Sequence, residues 1–300
     1  MAAYHRRMTM VAYPTFGKGG AHAWRLGVTR AIRGAARLLA PAGPRGVLSI
    51  LVFHRVLAQP DPLLPDVPDA GRFDSLLSWL GSVFNVVALD HAVAELRAGR
   101  TPDRALAITF DDGYADNYTV ALPVLARHRM TATFFIACDY LDGGRMWNDT
   151  VMEAVRRCRS DALDLSQLGL GMLTASDVAA KRRSIDLLLS ALKYLRPQER
   201  EDKSRAIAEV VGAPLPDDLM MTSSHVRALR AAGMQIGGHT RTHPILTCVD
   251  ARAASDEIRG GKERLEAIVG ERIGLFAYPN GKPGQDYGPA HVELVKAAYG

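Results

Sequence analysis

The sequence predicts an α/β domain with a largely parallel sheet or barrel, and three observations carry that expectation. Short apolar runs alternate with stretches of helical periodicity along most of the chain. The composition is that of an ordinary globular protein: 300 residues, 48% hydrophobic and 23% charged. The longest uncharged apolar run, residues 46–53, falls far short of the roughly 20 residues that a membrane span needs. Disorder, collagen and coiled coil are excluded as the dominant state, and the length allows a sizeable core.

Strands are expected at residues 47–53, 83–88, 105–110, 131–137, 234–237 and 274–278. Helical patterns lie between them at 73–80, 91–98, 118–127, 226–232 and 253–269. The segment from about 149 to 211 breaks this rhythm. It is rich in Ala, Leu, Arg and Asp, contains no convincing strand, and is expected to be a helical insertion. Pro41-Ala-Gly-Pro44 marks the end of an N-terminal arm. The expected organisation is therefore an arm over 1–45 and one domain over 46–300 that carries the insertion.

Charge is unevenly spread. Residues 1–60 hold nine of the 37 Lys and Arg and none of the 32 Asp and Glu, so the net charge of +5 belongs to the arm. That argues against a nucleic-acid groove across the domain. Within the arm, residues 24–39 read as an amphipathic helix. Arg25, Arg30, Arg33 and Arg37 fall on one side, and Trp24, Val28, Ile32, Ala35 and Leu38 on the other. Its apolar face either packs on the domain or makes peripheral contact with an anionic membrane. No secretory signal is visible, because Arg6-Arg7 is not followed by an apolar stretch with a small-residue cleavage site. The expected location is cytoplasmic, or peripheral at the inner membrane. Three cysteines, none in a CxxC pair, argue against a disulfide framework and a zinc ribbon.

The candidate chemistry follows the strands, because active sites in α/β domains gather at strand C-termini. After 47–53 comes His54; after 105–110, Asp111-Asp112-Gly113; after 234–237, Gly238-His239 and then His243; after 274–278, Pro279-Asn280-Gly281. Each alone is weak, since Asp-Asp-Gly is also an ordinary turn. Together, one carboxylate and two imidazoles make a three-ligand site for Zn²⁺ or a similar divalent ion with a position open for water. A second carboxylate beside it can act as general base, a combination suited to amide or ester hydrolysis. Cys248 lies near the histidines in sequence and offers a further ligand or merely a small buried thiol.

Thr109-Phe110-Asp111-Asp112-Gly113 and His239-Thr240-Arg241-Thr242-His243 resemble the first two motifs of the polysaccharide deacetylases, carbohydrate esterase family 4 with its NodB-homology domain. The likeness runs over about residues 48–288, through Thr131-Ala-Thr-Phe-Phe-Ile136 and Phe276-Ala-Tyr-Pro-Asn-Gly281. Phe53-His-Arg-Val56 is similar to the early motif of the exopolysaccharide type. The resemblance implies a distorted (β/α) barrel that removes acetyl groups from N-acetylhexosamine residues of a saccharide or exopolysaccharide. It implies one divalent ion, zinc with cobalt or nickel as alternatives. By motif position Asp111 is the base, and Asp112, His239 and His243 are the ligands. His54 becomes the replacement acid, because the family's late Leu-x-His motif is absent after Gly281.

Two further departures stand out. Ala277 occupies the place of the Arg that orients the base, and Asn280 replaces an aromatic residue whose N–H helps hold the oxyanion. Tyr278 and Trp147 are the remaining candidates for the saccharide, although a Trp covering the hinge of the insertion is an equal reading. The departures leave two other functions open: a catalytically silent saccharide-binding domain, or a hydrolase of a small amide or cyclic imide. An intact Asp111 favours the deacetylase, because a pure binder needs no base.

Overall fold

The structure, a computed structural model, describes residues 32–38 and 40–300. Two compact units result. One comprises residues up to 51 together with 76–108; the other comprises 52–75 with 109–300.

In the first unit, residues 32–38 form helix α1, and Leu38 is 84% exposed while Ala36 is buried. The remainder of the expected arm helix lies outside the described residues. Strand β2 (Asn85–Val86) pairs in parallel with Ala105 and Leu106, and helix α3 (Leu89–Arg97) follows it. Arg104, buried at the entry to the next strand, donates from Nη1 to the Val83 carbonyl at 2.8 Å. Helix α2 (Ala70–Val83) and strands β1 (Ser49–Phe53) and β3 (Ala105–Phe110) run from one unit into the other.

The second unit holds β4 (Thr133–Ile136) and β7 (Gln235–Gly238). The strand order is β1-β3-β4-β7, with β3–β4 and β4–β7 parallel. Every residue of β3 and β4 is buried, as expected of strands covered on both faces. Phe110 stacks on Phe134 at 4.8 Å and on Phe53 at 5.3 Å, while Phe73 meets Phe53 edge-on at 5.2 Å. Each such buried ring contributes about 1.5–3 kcal/mol. This cluster lies at the strand ends and anchors the residues that follow.

Helices α4 (Leu122–Arg127), α8 (Ser223–Ala231), α9 (Ala251–Val269) and α10 (Pro289–Tyr299) complete the parallel α/β pattern. A π-helical turn, Asn117–Ala121, precedes α4 where a plain helix is expected. At 274–278 a single parallel bridge, Gly238 to Phe276, replaces the expected strand. Pro279 has no N–H with which to extend the ladder.

The segment expected to be an insertion contains helices α5 (Trp147–Arg157), α6 (Val178–Leu192) and α7 (Pro197–Val211). It also contains an unexpected antiparallel hairpin, β5 (Ala162–Leu165) with β6 (Gly171–Thr174). Leu163 and Leu165 alternate inward into a core with Val151, Leu188 and Ile207, and Gly169 and Gly171 take positive φ in the turn. A four-residue alternation within a helix-forming composition is too short a signal to outweigh its surroundings.

Candidate active site

Backbone geometry assembles the site. The Asp111 N–H donates to the Phe53 carbonyl at 2.9 Å, which sets His54 alongside the end of β3. Asp112 itself makes the turn, with φ 77°, followed by Gly113 at 93°. Successive strand residues point to opposite faces, and the left-handed Asp112 ends that alternation at the strand terminus. Thr240 and His243 also have positive φ, 65° and 53°. Such conformations cost of order 1 kcal/mol or more each and persist where surrounding bonds over-determine them.

Those bonds are visible. The Glu257 carboxylate on α9 accepts from the N–H groups of Arg241 and Thr242, both at 2.8 Å, and from Thr242 Oγ1 at 2.6 Å. Tyr140 Oη donates to the Thr242 carbonyl at 2.9 Å, and the His243 N–H donates to Thr240 Oγ1 at 3.1 Å. Gly261 lets α9 approach: a Cβ there would meet Thr240 backbone at 2.9 Å. Neither Glu257 nor Tyr140 carries a sequence signal, because each acts through a main-chain group far away in sequence.

Asp112, His239 and His243 converge, with one ligand atom from each within 4.8 Å of the others. Asp112 Oδ1 lies 3.4 Å from His239 Nε2 and 3.3 Å from His243 Nε2. It is buried and accepts no hydrogen bond. The Ala277 carbonyl, 2.8 Å from His239 Nδ1, can only accept, so it fixes the proton on that nitrogen. In the neutral ring, Nε2 then presents a lone pair to the lone pairs of Asp112. Only a cation or a proton between them relieves that opposition, so the donor set fits a divalent ion.

Electrostatics agree. Burial opposes charge on Asp112, yet the imidazoles of His243, His239 and His54 hold its carboxyl well below the usual carboxylate range. Burial, with the charges of His239, Arg200 and His54, pushes His243 down to about 3 against the pull of Asp112. Burial also raises the Asp111 carboxyl, an effect that Asp112 reinforces and that His239 and His54 oppose. A base that holds its proton more readily is the kind general-base catalysis needs.

The flank of His54 is clamped from the segment after Asp111-Asp112. Asp116 accepts from Arg55 Nε at 2.7 Å and from the Val56 N–H at 3.3 Å, while Asn117 Nδ2 donates to the His54 carbonyl at 2.9 Å. This Asp-Asn pair closely follows Asp111-Asp112 in sequence, a signal that was available.

The other candidates differ. Asn280 is exposed with φ 62°. Tyr278 stacks on Tyr287 at 3.8 Å and meets Phe276 edge-on at 5.1 Å. Trp147 does not present an open face: it is 9% exposed, sits in a core with Val151, Leu188 and Ile207 and has the Arg200 guanidinium over its ring. The Cys248 thiol faces the Tyr194 carbonyl at 3.8 Å and is not part of the three-residue cluster. His291 Nδ1 accepts from the Gly288 N–H at 2.9 Å and so caps α10.

Comparison with known proteins adds to this geometry. The chain shares its fold with the Streptococcus pyogenes deacetylase PplD, solved in complex with acetate, at a TM-score of 0.51 and 14% identity over 83% of this chain and 79% of that one. It shares it likewise with IcaB from Ammonifex degensii, at 0.51 and 17% identity over 86% and 82% of the two chains. A 91-residue stretch is 32% identical to the putative polysaccharide deacetylase YxkH of Bacillus subtilis (strain 168), covering 30% of this chain and 31% of that protein's length. The family model for polysaccharide deacetylases matches residues 98–165 and 202–296, and the gap between these stretches falls inside the segment read as inserted. With more than half of the chain matched, and the match spanning the strand ends that bear Asp111, Asp112, His239 and His243, this protein belongs to the polysaccharide deacetylase family.

Proposed function

We propose that this chain hydrolyses the N-acetyl groups of N-acetylhexosamine residues in a saccharide or exopolysaccharide, using one divalent ion held by Asp112, His239 and His243. The observation that carries the reading is Asp112 Oδ1, buried without a hydrogen bond and opposed by two imidazole nitrogens. Zinc suits a donor set of one carboxylate and two imidazoles. When bound, such an ion polarises the acetyl carbonyl and acidifies water. Asp111 takes the proton of the attacking water. The Asn280 N–H donates to the oxyanion that forms on the former carbonyl oxygen. His54 then gives a proton to the departing amine, so acetate and the free amino sugar leave. Asp116 and Asn117 hold the strand end from which His54 projects.

The test is acetate release from N-acetylglucosamine oligomers by chelated protein, with Zn²⁺ or Co²⁺ added back. Release should return with metal, and Asp111→Asn should lower it at least a hundredfold while metal content stays the same. No release from these oligomers or from any acidic N-acetylated saccharide despite stoichiometric metal would overturn the deacetylase reading; loss of metal in Asp111→Asn would make Asp111 a ligand instead.

A further inference from the structure

The insertion carries a buried cation that this reaction does not use. Arg200, near the start of α7, is 5% exposed. Its guanidinium lies 4.9 Å above the Trp147 ring, and Nη1 makes one long bond, 3.4 Å, to the Lys193 carbonyl. Among the described residues no carboxylate lies within 4.0 Å of it, and Nε and Nη2 find no acceptor. Neither nitrogen is sealed from solvent. Buried arginines are ordinarily paired, because desolvating an uncompensated charge is expensive.

Its charge bears on the site, opposing protonation of His243. The charge of Arg200 reaches Tyr140, whose hydroxyl donates to the carbonyl of Thr242, the residue before His243. Burial lowers the proton affinity of the guanidinium even though Tyr140, Cys248 and Glu201 favour its charge.

We infer that Arg200 forms an anion subsite within electrostatic reach of the Asp112–His239–His243 cluster, taking a carboxylate or phosphate group carried by the acetylated saccharide, an inference that rests on the deacetylase reading above. The planar fork of arginine matches two oxygens of either group. The Trp147 ring packs against the guanidinium and Nη1 turns to the Lys193 carbonyl, so Nε and Nη2 are the nitrogens that would meet the ligand. Through Arg200 this segment selects anionic over neutral saccharides.

The experiment is calorimetric titration of full-length wild type, Arg200→Met and Arg200→Lys with glucuronate, glucose 1-phosphate and neutral glucose. Wild type should bind at least one anionic sugar tenfold or more tightly than glucose, and Arg200→Met should erase that preference. Which anion binds separates a uronate from a phosphate source. The titrations are run on metal-loaded protein with acetate in excess, so that anions held at the Asp112–His239–His243 cluster are displaced in all three proteins. Arg200→Met should also melt no lower than wild type, since it removes an unpaired charge and keeps an apolar stem on Trp147. Equal affinity of wild type for charged and neutral sugars overturns the inference, as does a preference that survives in Arg200→Met. So does a Met variant that melts well below wild type while Lys restores stability, which would mark Arg200 as a packing element. These readouts need no turnover, so a failure of acetate release on every saccharide would reject the deacetylase reading separately.

Discussion

Asp149 shows how one buried carboxyl near the site is tuned. It is fully buried, Oδ1 accepts from Tyr114 Oη at 3.1 Å, and Oδ2 has no partner. Burial pushes its pKa up to about 7, with Asp112 and Glu153 adding to the rise and Arg55 and Tyr114 opposing it. A carboxyl whose folded pKa lies above its unfolded value binds its proton more tightly when folded. Its contribution to stability is therefore complete below about pH 4, is lost as the pH climbs to about 7, and is absent above that, amounting to at most about 4 kcal/mol. Asp149→Asn should melt higher than wild type at pH 8, with the gap closing towards pH 4. Melting curves across that range decide it, and a constant gap would mean that Asp149 stays ionised in the fold.

Among the elements, α9 matters most for the histidines. One carboxylate, Glu257, satisfies two loop N–H groups and a hydroxyl, and so holds His239 to His243 in a strained course. Glu257→Ala should weaken zinc binding about 10- to 100-fold, with Glu257→Gln intermediate. Zinc titration against a chelator measures this, and an unchanged affinity in the Ala variant would show that the loop holds itself. The motif residues on this loop were legible in sequence because their spacing places them just past an apolar run. The clamp was not, because Glu257 is one acid among several on an amphipathic helix. The hairpin inside the insertion was hidden for a related reason: a pair of four-residue strands gains its meaning only from the core that Leu163 and Leu165 enter.

For the molecule as a whole, every candidate catalytic and ligand residue belongs to the unit formed by 52–75 and 109–300. The basic arm stands apart in sequence, and no helix among the described residues is long and apolar enough to cross a membrane. We propose that the arm makes the peripheral membrane contact that its composition suggests. Removing residues 1–31 should leave acetate release within about twofold and cut sedimentation with anionic vesicles severalfold, more so at low salt. Vesicle binding that survives the truncation would reject the role. The α/β class, the strand ends near 53, 110 and 238 and the grouping of Asp112 with His239 and His243 could be read from the chain alone, because apolar periodicity and strand-end motifs are local properties. Three matters needed the fold. The free oxygen of Asp112 faces two imidazole nitrogens only once β3 and β7 lie in one sheet. Trp147 loses its open face only when Arg200 packs over it. The place vacated at Ala277 acquires a role through its backbone carbonyl, which orients His239. Each depends on groups remote in sequence meeting in space, and burial, which no local pattern encodes, then decides their charge and their chemistry.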